Sequence, residues 1–184
     1  MRSRRVDAQA NRGRILDVAE DVFGRGGESA STEEVARLAG VGIATVFRHF
    51  PTKAALLQAV LVRRFDRLRG QAEALLDDDP GTAFFGFFRH LVTDAPTKIA
   101  IGDALLDAGG DDGGEAAEAS LGLRRAVGAL LDRAQRAGAV RDDVELPEVY
   151  ALLVAMSRAA AQPGLDDDTK ARALAVIFDG LAPR

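Results

Sequence analysis

The chain of 184 residues contains no cysteine and no tryptophan, a single tyrosine and only two histidines. The absence of cysteine excludes a disulfide framework, a thiolate metal site and a cysteine nucleophile, so packing alone must stabilise the fold. No run reaches the roughly 18 apolar residues of a membrane span, and the basic first residues are not followed by the apolar segment of a signal peptide. We therefore expect a globular protein that resides in the cytoplasm and has no membrane partner.

Residues suited to catalysis or metal binding are also scarce. The two histidines, His49 and His90, fall in different predicted domains, which argues against a histidine-based metal site. The runs of aspartate stand beside Pro or Gly or at helix starts, where aspartate commonly caps helices and forms turns. We assign no catalytic residue, no metal ligand and no cofactor, and we expect that the chain is not an enzyme.

The charge is divided unevenly along the chain. The formal net charge of −4 combines a basic N-terminal part with an acidic remainder. Residues 1–70 hold 13 Lys and Arg against 8 Asp and Glu, whereas residues 71–184 hold 11 against 20. This division predicts a segment that binds a polyanion, attached to a body that does not.

The spacing of the apolar residues predicts an all-α fold. Apolar residues recur at intervals of three and four, and no stretch alternates with the period of two that is typical of strands. We expect about nine helices, with an N-terminal three-helix head and basic tail in residues 1–51. Residues 52–184 then form a long connector helix, capped by Thr52, and a C-terminal helical bundle. In the bundle, we expect helices bounded by Pro, Gly or Asp at about 81–95, 97–108, 115–137, 147–162 and 167–181.

The segment 31–50 has the pattern of two short helices joined by a tight turn. Ser31 and Glu34 form a capping-box pattern, in which each side chain accepts a bond from the backbone N–H of the other residue. Gly40 supplies the freedom for a sharp turn, and a second helix over about 43–49 can follow almost at once. This pattern is typical of a helix-turn-helix, whose second helix enters the major groove of DNA. The basic tail adds arginines suited to phosphate or minor-groove contacts, namely Arg2, Arg4, Arg5, Arg12 and Arg14.

These residues belong to a longer resemblance to a known family. Residues 14–23, 32–40 and 41–57 are similar to the DNA-binding part of the tetracycline-repressor (TetR) family of bacterial transcriptional regulators. The resemblance covers about residues 10–60, while the rest of the chain agrees only in helix number and length. It implies a homodimer that binds a pseudo-palindromic operator in double-stranded DNA through two N-terminal heads. It also implies a C-terminal domain that dimerises and usually holds a small-molecule effector.

The resemblance assigns DNA-binding roles to individual positions. Carried over position by position, the DNA-binding set is Thr32, Ile43, Thr45, Phe47, Arg48, His49 and Lys53. Phe47 replaces the usual tyrosine, which keeps the packing but removes a phosphate hydrogen bond of about 1 kcal/mol. Gly42 replaces a serine or threonine cap, which costs about a few tenths of a kcal/mol. Ile43 stands where a polar residue is common, and it suits contact with a thymine methyl group.

Four of the nine phenylalanines, at positions 84, 85, 87 and 88, fall within five residues. One face of a helix cannot hold all four rings, so both sides of this helix must be covered. Either an effector cavity covers them, or they belong to an ordinary core with a dimer or domain contact on the far side. Under the first interpretation, the effector pocket is formed by Phe84, Phe87, Phe88, His90, Tyr150 and Met156. Under the second, these residues belong to the core or the surface, and the sequence leaves both interpretations open.

The last two expected helices, 147–162 and 167–181, have wide apolar faces with many alanines. Small residues let helices approach closely, so this pair predicts a homodimer contact, with completion of the monomer core as the alternative. We predict a dimeric DNA-binding transcriptional regulator, a repressor that a small-molecule effector releases from its operator. The alternatives are a ligand-independent helix-turn-helix DNA-binding protein and a helical enzyme or interaction module.

Overall fold

The computed structural model describes residues 2–26, 30–111 and 113–183, with side chains from residue 9 onward. These residues form helices and no strand, which confirms the expected all-α class. The α-helices, in chain order, are α1 (Arg2–Gly24), α2 (Thr32–Leu38), α3 (Ile43–His49), α4 (Lys53–Ala74), α5 (Pro80–Asp107), α6 (Gly114–Arg136), α7 (Leu146–Ala161) and α8 (Asp167–Leu181). A short 3₁₀ helix, Leu75–Asp77, follows α4. None of the described helices combines the length and the hydrophobicity needed to cross a membrane.

Several helices begin at a side chain that accepts a hydrogen bond from the first turn. The predicted cap of α4 is confirmed, because Thr52 Oγ1 accepts from the N–H three residues ahead at 3.0 Å. Asp79 Oδ1 accepts from Thr82 N at 3.0 Å before α5, and Asp166 Oδ1 accepts from Thr169 N at 2.8 Å before α8. These backbone hydrogen bonds favour the ionised carboxylates, so they hold the pKa of Asp79 and of Asp166 below the ordinary value of 3.8.

One helix, α5, replaces two expected ones. The expectation of separate helices at about 81–95 and 97–108 is wrong, because α5 runs through Pro96 without interruption. A proline in a helix interior removes one backbone hydrogen bond and costs about 3 kcal/mol. Buried apolar residues continue on both sides of Pro96, among them Val92, Ala95 and Ile101, while Pro96 itself is exposed. Their burial offsets the lost bond, and the sequence pattern around a single proline does not reveal that balance.

The chain forms two compact units. The head unit comprises Met1–Arg64 and Thr97–Glu118, and the body unit comprises Phe65–Pro96 and Ala119–Arg184. The long helices α4, α5 and α6 each supply residues to both units. The functional division of the chain after residue 51 stays a prediction.

The head unit combines an apolar core with charged links between α1 and α4. Its most buried apolar residues include Ile15, Leu16, Ala19, Phe23, Val35, Val46, Phe50, Leu56, Leu57 and Val60. Arg63 Nη1 donates to Gly13 O at 3.1 Å, and the same guanidinium pairs with Asp17. Arg64, only 3% exposed, pairs with Glu20. Charge-assisted hydrogen bonds therefore hold α1 against α4 in addition to packing.

Candidate nucleic-acid interface

A helix-turn-helix is formed by α2, α3 and the turn between them. Ser31 begins it, because its Oγ accepts from Glu34 N at 3.1 Å, which is one of the two bonds of the predicted capping box. After α2, Gly40 adopts a left-handed conformation with φ of +66°, and Val41 N donates back to Ala36 O at 3.0 Å. Glycine is favoured in such a turn because it has no Cβ to clash. The two short helices and the tight turn predicted from the sequence are confirmed.

The second helix of this motif, α3, begins without a side-chain cap. Its N-cap is Gly42, in extended conformation with φ of −70° and ψ of 147°. The Gly42 carbonyl accepts from Thr45 N at 2.8 Å and from Val46 N at 3.3 Å. The backbone alone therefore starts the helix, at the small cost expected for glycine in place of serine.

The two faces of α3 differ in burial. Val46 is fully buried and Phe50, the C-cap residue, is 3% exposed, so these two side chains attach the helix to the head core. The predicted DNA-binding residues occupy the remaining surface, with Ile43, Phe47 and Arg48 exposed and Thr45 and His49 half-buried. Five of the seven predicted contact residues therefore lie on α3 outside its buried face, and their contact with DNA stays a prediction.

Two cations near the C-terminal end of α3 lie over buried aromatic rings. Lys53 Nζ is 5.0 Å from the centre of the Phe23 ring, and the Arg12 guanidinium carbon is 5.1 Å from the centre of the Phe50 ring. Phe23 and Phe50 are 1% and 3% exposed. A cation–π contact contributes about 0.5–1 kcal/mol at an exposed site. The two rings therefore help to hold Lys53 and Arg12 in these positions near the end of α3.

Sequence reasoning included Arg12 in the basic tail but did not place it beside Phe50. The two residues are far apart along the chain, and only the fold of the head unit brings them together. Of the other tail arginines, Arg14 Nη2 donates to Asn11 Oδ1 at 3.2 Å. The side chains of Arg2, Arg4 and Arg5 lie outside the described residues.

Thr32 differs from the other predicted contacts in its burial. It is the first residue of α2 and is 6% exposed. The first N–H groups of any helix have no partner within the helix, so the backbone of Thr32 can still donate to a phosphate. Its contact with DNA stays a prediction.

The predicted effector residues lie in the body unit, where phenylalanines pack against one another. Phe84, Phe87 and Phe88 are each at most 3% exposed. The rings of Phe84 and Phe88 have centres 6.4 Å apart, and that of Phe88 lies 5.5 Å from Phe178 of α8. The Phe87 ring lies 6.0 Å from that of His90, which is exposed.

The remaining effector candidates make contacts of their own. Tyr150 is half-buried, and the Arg124 guanidinium carbon lies 4.9 Å from its ring centre. Met156 is 6% exposed. His90 Nε2 and Gln71 Oε1 are 3.1 Å apart. The assignment of these residues to an effector pocket stays a prediction.

A surface cleft of about 470 Å³ lies in the head unit, on α1 and α2. Its lining comprises Val18, Asp21, Val22, Arg25, Gly26, Ala30, Glu34 and Leu38. None of the predicted effector residues belongs to this lining. Within the described part of the chain, no three side chains of His, Asp or Glu come together as a metal site.

Two family models match the chain. The model of bacterial regulatory proteins of the tetR family matches residues 15–60, and the model of the C-terminal domain of SbtR-like transcriptional regulators matches residues 79–183. A curated relative, the HTH-type transcriptional regulator SAR0097 of Staphylococcus aureus, is 35% identical over 81 residues. That match spans 42% of this chain and 42% of the relative, so less than half of either protein is compared.

Solved structures extend the similarity over almost the whole chain. The TetR transcription regulatory protein from Mycobacterium vanbaalenii is 41% identical, with 97% of this chain and 98% of that chain covered and a TM-score of 0.79. The TetR transcriptional regulator SCO0520 from Streptomyces coelicolor is 32% identical, with 94% and 98% covered and a TM-score of 0.76. RolR in complex with resorcinol shares the fold at 20% identity, with 97% and 90% covered and a TM-score of 0.59. This chain belongs to the TetR family of bacterial transcriptional regulators.

Proposed function

We propose that this chain is a homodimeric repressor whose two heads bind a pseudo-palindromic DNA operator and which a small-molecule effector releases. It acts in the cytoplasm, by binding and without catalysis. The observation that carries the proposal is the arrangement of α3. Val46 and Phe50 hold this helix in the head core, while Arg48 and its exposed neighbours face solvent. A recognition helix needs this combination of a fixed inner face and a free outer face.

The distribution of cations supports DNA as the partner of the head. Arg48 is exposed on α3, and Lys53 and Arg12 are held over aromatic rings near the end of that helix. Residues 1–70 carry 13 Lys and Arg against 8 Asp and Glu. Neutralisation of phosphates by such residues releases counterions, so the affinity for DNA falls steeply as the salt concentration rises.

The surfaces of α7 and α8 support a homodimer. Leu152 and Val154 on α7 are each 39% exposed, and Val176 on α8 is 72% exposed. The same two helices expose alanines at positions 151, 155, 171 and 175. Exposed apolar helices with small residues suit a two-fold contact in which α7 and α8 pack against their copies. A dimer of this kind supplies two recognition helices for half-sites about 34–36 Å apart, or a multiple of that distance.

The effector component of the proposal concerns the body unit. Its residues are Phe84, Phe87, Phe88, His90, Tyr150 and Met156. Most of these side chains are aromatic, and His90 and Tyr150 also carry hydrogen-bonding groups. RolR, which shares the fold, has been solved with the small aromatic ligand resorcinol. Because α4 supplies residues to both units, a ligand-induced change in the body can alter the separation of the two recognition helices in a dimer.

A ligand-independent DNA-binding regulator is the second candidate. The aromatic packing in the body unit favours it, since Phe85 and Phe88 lie 4.8 Å and 5.5 Å from Phe178 between ring centres. Rings packed at these distances are typical of a filled core. A panel of small aromatic molecules, tested for release of the protein from bound DNA, separates the candidates. Release by one of them favours the effector, and unchanged binding with all of them favours the ligand-independent regulator.

DNA binding is tested by fluorescence anisotropy on duplex DNA from the region upstream of the chain's own gene, at 50 and 200 mM salt. We expect sequence-specific binding by two protomers, at least tenfold weaker at the higher salt concentration. Replacement Arg48→Ala removes a major-groove cation and weakens binding about tenfold. Arg125→Ala, which removes an exposed arginine of α6, is the matched control and leaves the affinity unchanged. Absent or salt-insensitive binding contradicts the proposal.

A further inference from the structure

One flank of α3 exposes apolar side chains to solvent. Ile43 is 36% exposed and Phe47 is 42% exposed, and Ala44 between them is also exposed. Residues four apart lie on the same side of a helix, so Ile43 and Phe47 are neighbours on this flank. Gly42, which precedes them, contributes no side chain.

Core packing accounts for only part of this apolar flank. The inward direction of α3 is defined by Val46 and Phe50, which are 0% and 3% exposed. Ile43 and Phe47 keep over a third of their surface in water even though hydrophobic residues of this size normally stabilise a fold by burial. The surface they leave exposed belongs to the helix that the proposed function places in the major groove.

The groups that such a flank can recognise in the major groove are limited. Most base edges there present hydrogen-bond donors and acceptors, and only the C5 methyl group of thymine offers an apolar surface in unmodified DNA. Polar readout falls to the other side of α3, where the exposed Arg48 and the half-buried Thr45 and His49 carry hydrogen-bonding groups. The helix therefore has an apolar flank beside a polar one.

We propose that Ile43 and Phe47 read thymine C5 methyl groups in each operator half-site, and thereby determine part of its sequence. The inference rests on the proposed DNA-binding function and adds the chemical group that this flank recognises. It assigns Phe47 a role that needs no hydroxyl group. Arg12 and Lys53, placed near the far end of α3, neutralise phosphates in every sequence, so they add affinity without selecting a base.

The test begins with the selection of high-affinity duplexes from a random DNA pool with the full-length protein. Each thymine of the selected half-site is then replaced singly by deoxyuridine, which removes the methyl group and keeps every hydrogen-bonding atom. We expect at least one position in each half-site at which the replacement weakens binding about fourfold, the effect of one buried methyl-sized group. Thymines outside the contacted positions change the affinity little.

Variants then assign the methyl contact to this flank. Ile43→Ala and Phe47→Ala each lose the thymine preference at their own position, so that thymine and deoxyuridine duplexes bind equally well there. Leu106→Ala is the matched control, because Leu106 is 58% exposed on α5 and lies outside the recognition helix. It retains the full preference. Far-ultraviolet circular dichroism verifies that each variant keeps its helix content.

Two different failures are distinguishable in this experiment. If the protein selects a defined sequence and every deoxyuridine replacement leaves the affinity unchanged, the methyl contact is wrong and the proposed function stands. The same conclusion follows if the preference for thymine survives in both Ile43→Ala and Phe47→Ala. If no sequence is selected and no salt-sensitive binding is found, the DNA-binding proposal is wrong, and the methyl contact with it.

Discussion

The exposed surface of α3 in the head unit contrasts with that of α7 and α8 in the body unit. On α3, apolar residues such as Phe47 stand beside a hydrogen-bonding cation, Arg48. On α7 and α8, Leu152, Val154 and Val176 are exposed among alanines. The first surface mixes polar and apolar groups as base edges do, whereas the second adds exposed aliphatic and small residues that suit a helix–helix contact.

The contrast shows that exposure of apolar groups has different meanings in different surroundings. Where the apolar group shares a short helix with an exposed cation, as Phe47 does with Arg48, the surface suits a polyanion with methyl groups in its groove. Where alanines lie on the same two helices, as they do with Val176, the surface suits a close-packed copy of itself.

The largest expected effect is the loss of folding stability when a buried phenylalanine of the body is truncated, compared with an exposed phenylalanine of α3. Phe84 is 2% exposed in the body unit, whereas Phe47 is 42% exposed on α3. Phe84→Ala leaves a cavity and lowers the free energy of unfolding by about 3–5 kcal/mol. Phe47→Ala lowers it by clearly less, because 42% of that side chain is already in water and its removal leaves no enclosed cavity. Urea denaturation at one fixed protein concentration measures both values, and similar losses in the two variants contradict this distinction between core and contact residue.

The next expected effect concerns the proposed dimer surface. Val176 is 72% exposed, so Val176→Glu scarcely alters the folding of a protomer, but it places two carboxylates in the proposed contact. We expect monomers in sedimentation equilibrium and an operator affinity lowered more than about 100-fold, because joining two binding modules typically raises affinity 10²–10⁴-fold. Leu106→Glu, a change at a position of α5 that is 58% exposed, leaves a dimer. A dimeric Val176→Glu variant that binds DNA normally removes α8 from the interface.

The head was predictable from sequence because its signals are local. Ser31, Gly40 and Thr52 act on residues within a few positions, and each has the structural effect that its chemistry predicts. The burial of Val46 and Phe50 likewise follows from their spacing along one helix. The placement of Arg12 over Phe50 did not follow, since it depends on how separate helices meet.

The body was less predictable because its structure depends on contacts between distant segments. The break expected at Pro96 is absent, since burial of apolar residues on both sides stabilises one continuous helix. The four phenylalanines 84–88 required cover on both sides, and Phe178, far along the chain, supplies part of it. Neither result can be read from a local pattern, because each depends on a packing partner that sequence spacing does not identify.

The smallest expected effect concerns the start of α8, and it tests whether the proposed dimer helix depends on its cap. The N–H of Thr169 donates to the Asp166 carboxylate and lowers the pKa of Asp166 below 3.8 in the folded state. A carboxyl group with a depressed folded pKa stabilises the fold above its unfolded pKa, and this contribution is lost as the pH falls through the folded value. Asp166→Asn keeps a cap acceptor but cannot titrate, so its stability declines less between pH 5 and about pH 3 than that of the unaltered chain.

Chemical denaturation at several pH values measures this difference, and the matched control is Asp168→Asn. That substitution removes a carboxylate from the same first turn, where it lies 4.0 Å from Arg172, and keeps the Asp166 cap. We expect the control to retain the acid-dependent decline that Asp166→Asn reduces. Equal declines in the two variants mean that the cap does not contribute to the acid sensitivity of α8. Packing alone then holds α8 in place, just as Val46 and Phe50 hold α3 without a side-chain cap.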